Sequence, residues 1–211
     1  MLFSNKDLKK LIIPLILEQT LVIMVGMVNV MMVSATGEDA VSGVSLVDML
    51  NNLIISILAA LGTGGAVVTS QFLGAKKREH ACRSALQLVF TAVVFGFAIM
   101  GFVLVTDRHL LHLLFGDVEE AVMKNAVTYL LFSAISYPFL ALYNSCAAIF
   151  RAMGNSKITL KVSVLMNIIN LAGGVLCIRI LNMGVAGAAI SACVSRAVAG
   201  GVLFILLRNP D

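Results

Sequence analysis
The chain has 211 residues, of which 60% are hydrophobic and 12% charged, with a mean hydropathy of +1.01 and a formal net charge of +4. Charged residues normally make up about 25% of a soluble domain, so too few polar side chains are present to coat a water-soluble fold of this length. The positive balance does not indicate nucleic-acid binding, because the basic residues form no stripe with interleaved aromatics.

Six long apolar stretches follow one another, at about 10–34, 46–73, 84–106, 124–148, 158–181 and 184–207. Eighteen or more residues with almost no charge is the length a helix needs to cross a bilayer. Backbone polar groups in hydrocarbon are satisfied only in helices or closed barrels. These stretches are too long for barrel strands and lack period-two alternation. The expected class is all-α, a polytopic membrane protein with six transmembrane helices. The first stretch is longer than a signal-peptide core and precedes no small-residue cleavage site, so it reads as a retained helix.

The charges between the stretches alternate. Lys6, Lys9 and Lys10 precede span 1, and Lys76, Lys77, Arg78 and Arg83 separate spans 2 and 3. Arg151, Lys157 and Lys161 separate spans 4 and 5, and Arg208 follows span 6. Eleven of the fifteen basic residues thus fall on one side. The other side carries Arg108, Lys124 and Arg179 against Glu38, Asp39, Asp107, Asp117, Glu119 and Glu120. By the positive-inside rule both termini are expected in the cytoplasm, with residues 1–211 forming a single six-helix unit.

The signatures of common enzyme classes are missing. No GxxxxGKS/T, HExxH or GxSxG occurs, so no enzyme activity is expected. His109 and His112 beside Asp107 and Asp117 read as an exposed amphipathic turn, not a metal centre, for want of a third fixed ligand. Cys82, Cys146, Cys177 and Cys193 form no CxxC pair and read as free thiols.

The informative residues are the polar ones within spans, each costly in lipid and therefore expected to face a helix or a water-filled cavity. Glu18 and Asn29 are eleven residues apart in span 1, which returns them to nearly the same helix face. Asp48, Asn51 and Asn52 sit together in span 2, Asp48 near its outer edge. Tyr137 and Asn144 share a face of span 4, Asn167 and Asn170 a face of span 5, and Arg196 lies mid-span in the sixth. Glu18, Asn29, Asn51, Asn52, Tyr137, Asn144, Asn167, Asn170 and Arg196 are the candidate pathway residues. Amides of this kind also hold helices together by hydrogen bonding, and a Glu18–Arg196 ion pair is a structural alternative. Met24, Met27, Met31 and Met32 offer adaptable apolar contacts or simply pack. Gly184, Ala188 and Ala192, with Gly187, Ser191 and Ser195, form small-residue rows that let another backbone approach span 6. Gly26, Gly62, Gly101 and Pro138 are candidate bends.

Several segments together carry a resemblance. They are Leu11-Ile-Ile-Pro14-Leu-Ile-Leu-Glu18-Gln19, Met27-Val-Asn29-Val-Met-Met-Val-Ser34, Gly37-Glu38-Asp39-Ala40-Val-Ser-Gly43-Val-Ser45, Ala60-Leu-Gly62-Thr63-Gly64-Gly65-Ala66 and Ser70-Gln71-Phe72-Leu73-Gly74-Ala75. The loop Arg151-Ala-Met-Gly154-Asn155-Ser156-Lys157 and the start of span 6, Gly184-Val-Ala-Gly187-Ala-Ala-Ile-Ser, continue the series. Over nearly its whole length the chain resembles the amino-terminal six-helix lobe of the multidrug and toxic compound extrusion transporters.

The resemblance implies one lobe of a two-lobe antiporter in the cell membrane. It would export small amphipathic organic cations or drugs in exchange for sodium or protons by alternating access, with no other cofactor. The partners implied are the lipid bilayer and a second lobe, supplied covalently by a longer chain or by a homodimer; no nucleic acid is implied. Two departures accompany it. The chain ends at Arg208-Asn-Pro-Asp211, where members pass into a second lobe, so a fragment of a longer protein is expected. Many members carry an aspartate at the position of Asn29, which cannot titrate, leaving Glu18 as the acid deep in this lobe. A flippase for a lipid-linked precursor and a truncated lobe without transport of its own are the alternative readings.

Overall fold
A computed structural model describes residues 5–208 apart from residue 117, with side chains from residue 12 onward. The side chains of Lys6, Lys9 and Lys10, the whole of Asp117, and Asn209, Pro210 and Asp211 lie outside the described residues. Among the described residues there are six α-helices and no strand: α1 (Asn5–Ser34), α2 (Glu38–Gly74), α3 (Arg78–Phe115), α4 (Glu120–Ala152), α5 (Ser156–Val175) and α6 (Gly184–Arg208). All six are long and apolar enough to cross a membrane, which makes this a multi-pass membrane protein.

The helices outrun the apolar stretches because their polar ends also wind. The 37 residues of α2 amount to about 55 Å, well beyond the roughly 30 Å of bilayer hydrocarbon. Glu38 and Asp39 occupy its first turn, where the helix dipole favours acids. Short turns join the helices. Gly116 at φ 71° and Gly154 at φ 79° take the left-handed backbone that a side chain resists. The fifth span does not remain α-helical to its end: Leu176–Ile180 form a π-helical turn before Asn182 and Gly184, both at positive φ. Alternation of direction places the α2–α3 and α4–α5 turns at one end of the bundle, the basic end. The α1–α2, α3–α4 and α5–α6 turns lie at the acidic end.

Helix α4 is the hub. It packs against α2, α3 and α6, while α1 lies mainly on α5. Glycines set the close approaches to it. A Cβ added at Gly43 of α2 would come 2.8 Å from the Val122 carbonyl, and one at Gly62 would come 3.2 Å from the Asn144 carbonyl. On α3, Gly96 lies against Pro138, and on α6, Gly200 lies against the Phe139 carbonyl. The small-residue rows of α6 are used in the same way: Gly187 meets Cys177 of the π turn, and Ser191 meets Gly173 of α5. Gly26 and Gly101 have open space around them. Val47, Leu58, Leu111, Leu130 and Tyr137 form the core in the acidic half, and Cys146, Ile149, Ala199 and Leu203 form it in the basic half.

Candidate functional site
Two polar clusters lie inside this bundle, one in each half, and α4 contributes to both. The chain's three tyrosines, Tyr129, Tyr137 and Tyr143, all fall on α4. Each donates its hydroxyl proton to an acid or an amide on another helix.

In the basic half, Glu18 of α1 is 6% exposed. Its Oε1 accepts a hydrogen bond from Tyr143 Oη at 3.2 Å and faces Arg151 Nη1 at 3.8 Å. Ser163 of α5 lies beside the same tyrosine. Asn167, one turn further along α5, donates from Nδ2 to the Ser163 carbonyl at 2.8 Å and to its hydroxyl at 3.5 Å. Glu18 Oε2 is buried with no hydrogen-bond partner among the described residues, as are Asn144 Nδ2 and Asn170 Oδ1. Ser156 Oγ, at the start of α5, is likewise buried without a hydrogen-bond partner among the described residues.

In the acidic half, half-buried Asp48 accepts at Oδ1 from Tyr129 Oη at 3.2 Å and from Asn51 Nδ2 at 3.5 Å. Buried Asn51 accepts at Oδ1 from Tyr137 Oη at 2.9 Å and donates from Nδ2 towards Ser133 Oγ at 3.5 Å. Ser136 donates to the Ser133 carbonyl at 2.7 Å and accepts from Arg196 Nη1 at 2.6 Å. Arg196 is near enough to Asp48 to act on it electrostatically. The network joins α2, α4 and α6 and gives the Arg196 guanidinium, costly in lipid if left alone, a hydrogen-bond partner in Ser136.

The candidate residues therefore divide. Glu18 and Asn167 fall in the basic cluster, Asn51, Tyr137 and Arg196 in the acidic one. Asn144 and Asn170 are half-buried, each with an orphaned buried atom. Asn29 is half-buried and Asn52 exposed, and neither makes a side-chain hydrogen bond among the described residues. The Glu18–Arg196 pair does not form. Glu18 meets Arg151, because α1 lies across α5 and the end of α4, whereas Arg196 is held by Ser136 and faces Asp48. Of the methionines, Met32 is buried against Gly174, while Met24, Met27 and Met31 face outward. Asp48, Tyr129, Ser133, Ser136, Tyr143, Arg151 and Ser163 complete the clusters and are not among the nine candidate pathway residues. The one sequence signal for them is the gathering of all tyrosines on a single span.

The MatE family model matches residues 14–176. The "Uncharacterized transporter YisQ" of Bacillus subtilis is 30% identical over 93% of this chain and 43% of its own length. The "Probable multidrug resistance protein NorM" of Thermotoga maritima is 26% identical over 98% of this chain and 45% of its own length. The chain spans less than half the length of these curated relatives. A solved outward-facing multidrug resistance MATE family transporter superposes on 96% of the chain with a TM-score of 0.90 at 21% identity, using 44% of its own length. A MOP superfamily transporter from Pyrococcus furiosus gives the same score and coverage. At this identity the structures speak for the fold alone.

Proposed function
This chain belongs to the MatE family, and on that premise we propose that it forms one lobe of an efflux antiporter for small amphipathic organic cations. In this reading the lobe lies in the cell membrane with both termini in the cytoplasm. A second lobe, from the same polypeptide or from another copy, completes the cavity, and alternating access of the pair moves the substrate. Relatives named as transporters and multidrug resistance proteins support the efflux class. The distribution of charge supports cations over a phosphate-bearing lipid. Arg151 stands 3.8 Å from Glu18 and Arg196 donates to Ser136 on α4, so these two arginines are engaged within the bundle in separate halves and do not gather as a phosphate site would need.

The observation that carries the reading is Glu18. It is a carboxylate at the centre of α1, buried, with one oxygen occupied by Tyr143 and Arg151 and the other unsatisfied. A buried acid with a free oxygen is the chemistry that takes up a proton or a sodium ion and releases it again when its neighbours move. Asn29, the polar residue on the same helix nearer the acidic end, is an amide and cannot exchange a proton. We therefore assign coupling by sodium or protons within this lobe to Glu18; Asp48, the other acid inside the bundle, lies near its acidic end and is engaged by Tyr129 and Asn51.

The test is ethidium efflux by the complete transporter carrying Glu18→Gln. Glutamine keeps the size and the acceptor for Tyr143 but neither ionises nor exchanges a proton. Efflux is expected to fall at least about tenfold with the amount of protein in the membrane unchanged. Unchanged efflux would remove Glu18 from the transport path.

A further inference from the structure
Helices α3 and α6 both pack on α4 but scarcely on each other, and this leaves a groove between them with α4 as its floor. At the basic end the groove opens into a recess of about 320 Å³ lined by Cys82, Leu86, Ile149, Met153, Leu207 and Arg208, among others. Leu86 also lines a second recess of about 520 Å³ immediately below, with Phe90, Val93, Leu142 and Phe204. The lining follows helical spacing. Cys82, Leu86 and Phe90 recur every four residues along α3, and Leu142 and Ile149 lie on one face of α4, with Met153 at its C-cap. From Cys82 to Val93 the groove runs about 16 Å, which is close to the half-thickness of bilayer hydrocarbon.

The walls are apolar and the mouth is cationic. Arg208 lines the recess, and Arg78 stands one turn before Cys82 on the lining face of α3. Exposed Lys76, Lys77 and Arg83 lie next to it, with Glu79 as the single acid among these neighbours. Neither recess includes a member of the two polar clusters described above.

From this juxtaposition we infer that the α3–α6 groove binds an anionic phospholipid of the leaflet at the basic end. Its phosphate lies between Arg78 and Arg208 and an acyl chain lies over Leu86, Phe90 and Leu142. Charge complementarity selects the headgroup, since each arginine near an anionic lipid surface adds attraction that a zwitterionic headgroup does not return. The apolar continuation selects a lipid over free phosphate, which would leave the phenylalanine-lined part of the groove unfilled. This site does not depend on the transport reading.

Native mass spectrometry of the detergent-purified chain tests it, with dioleoyl phosphatidylglycerol and dioleoyl phosphatidylcholine as probes. One tightly retained phosphatidylglycerol is expected, favoured over phosphatidylcholine by about tenfold or more. Arg78→Gln with Arg208→Gln should abolish the preference, whereas Lys76→Gln with Lys77→Gln, which removes equal charge beside the groove, should keep it. Leu142→Trp, which fills the groove and leaves the charge alone, should lower binding of both lipids. Circular dichroism confirms that each variant stays helical. Equal retention of the two lipids by the unmodified chain would overturn the site, as would a preference that survives loss of both arginines. So would equal losses in the two double variants, or displacement of the lipid by inorganic phosphate at matched concentration.

Discussion

At the scale of single residues, burial separates neighbours that the sequence presents as equals. Asn51 and Asn52 are adjacent amides in the same turn of α2. Asn51 is 4% exposed and holds both Tyr137 and Ser133, while the Asn52 side chain is exposed and makes no hydrogen bond among the described residues. Asn51→Ala would strand the Tyr137 hydroxyl in a fully buried site, at a cost of about 1–3 kcal/mol. Asn52→Ala should change stability by less than about 0.5 kcal/mol. Detergent thermal melts of the two variants check this, and equal losses would refute the network as drawn. The polar residues themselves were legible, because an ionisable or amide side chain in an apolar span stands out in a sequence. Their partners were not. Tyr143 lies 125 positions from Glu18, and Arg151 reads as an ordinary loop charge until α1 is laid across α5 and the end of α4.

At the scale of elements, hydropathy alone delivers six helices, because hydrocarbon leaves the backbone no other open-ended solution. It does not deliver their packing. In a soluble protein the most apolar helix is the most buried, but here α4 is the least hydropathic of the six and by far the most enclosed, while α3 is the most hydropathic and largely faces outward. Lipid tails are as apolar as a protein core, so burial is decided by close backbone approach and polar pairing instead. The π turn after α5 is likewise not legible in hydropathy, because the apolar stretch continues past residue 175 and is interrupted only at Arg179. Glycines show where approach matters. At Gly96 a Cβ would come 2.9 Å from Pro138 Cα, a backbone atom that cannot swing aside, whereas at Gly101 there is nothing within 4 Å. Gly96→Ala should therefore destabilise the lobe by about 1–3 kcal/mol, and Gly101→Ala on the same helix should be neutral. Unfolding of the two variants in mixed micelles distinguishes them; a tolerated Gly96→Ala would mean that α3 and α4 are not in contact at Pro138.

At the scale of the whole molecule, the two ends of the bundle differ in charge, and that asymmetry is the physical basis for orienting the lobe. The α2–α3 and α4–α5 turns bring Lys76, Lys77, Arg78, Arg83, Arg151, Lys157 and Lys161 to one end, while Glu38, Asp39, Glu119 and Glu120 gather at the other. Basic loops are retained on the cytoplasmic side during insertion, so the basic end is expected to face inward. The native cysteines are free, and Cys82 is exposed, so a cysteine-free background is needed before the ends can be probed. In that background Glu119→Cys, beside the α3–α4 turn, should react with a membrane-impermeant maleimide in intact cells. Lys76→Cys, in the α2–α3 turn, should react only after permeabilisation. The reverse pattern would invert the lobe. It would also move the arginine-rimmed groove to the outer leaflet and place Glu18, which sits in the basic half, nearer the outside than the inside. Labelling of both sites in intact cells would show instead a mixed topology, which a charge bias this one-sided should not permit. The side from which Glu18 would be reached in the proposed role is thus tied to the same charge asymmetry that is written in the loops.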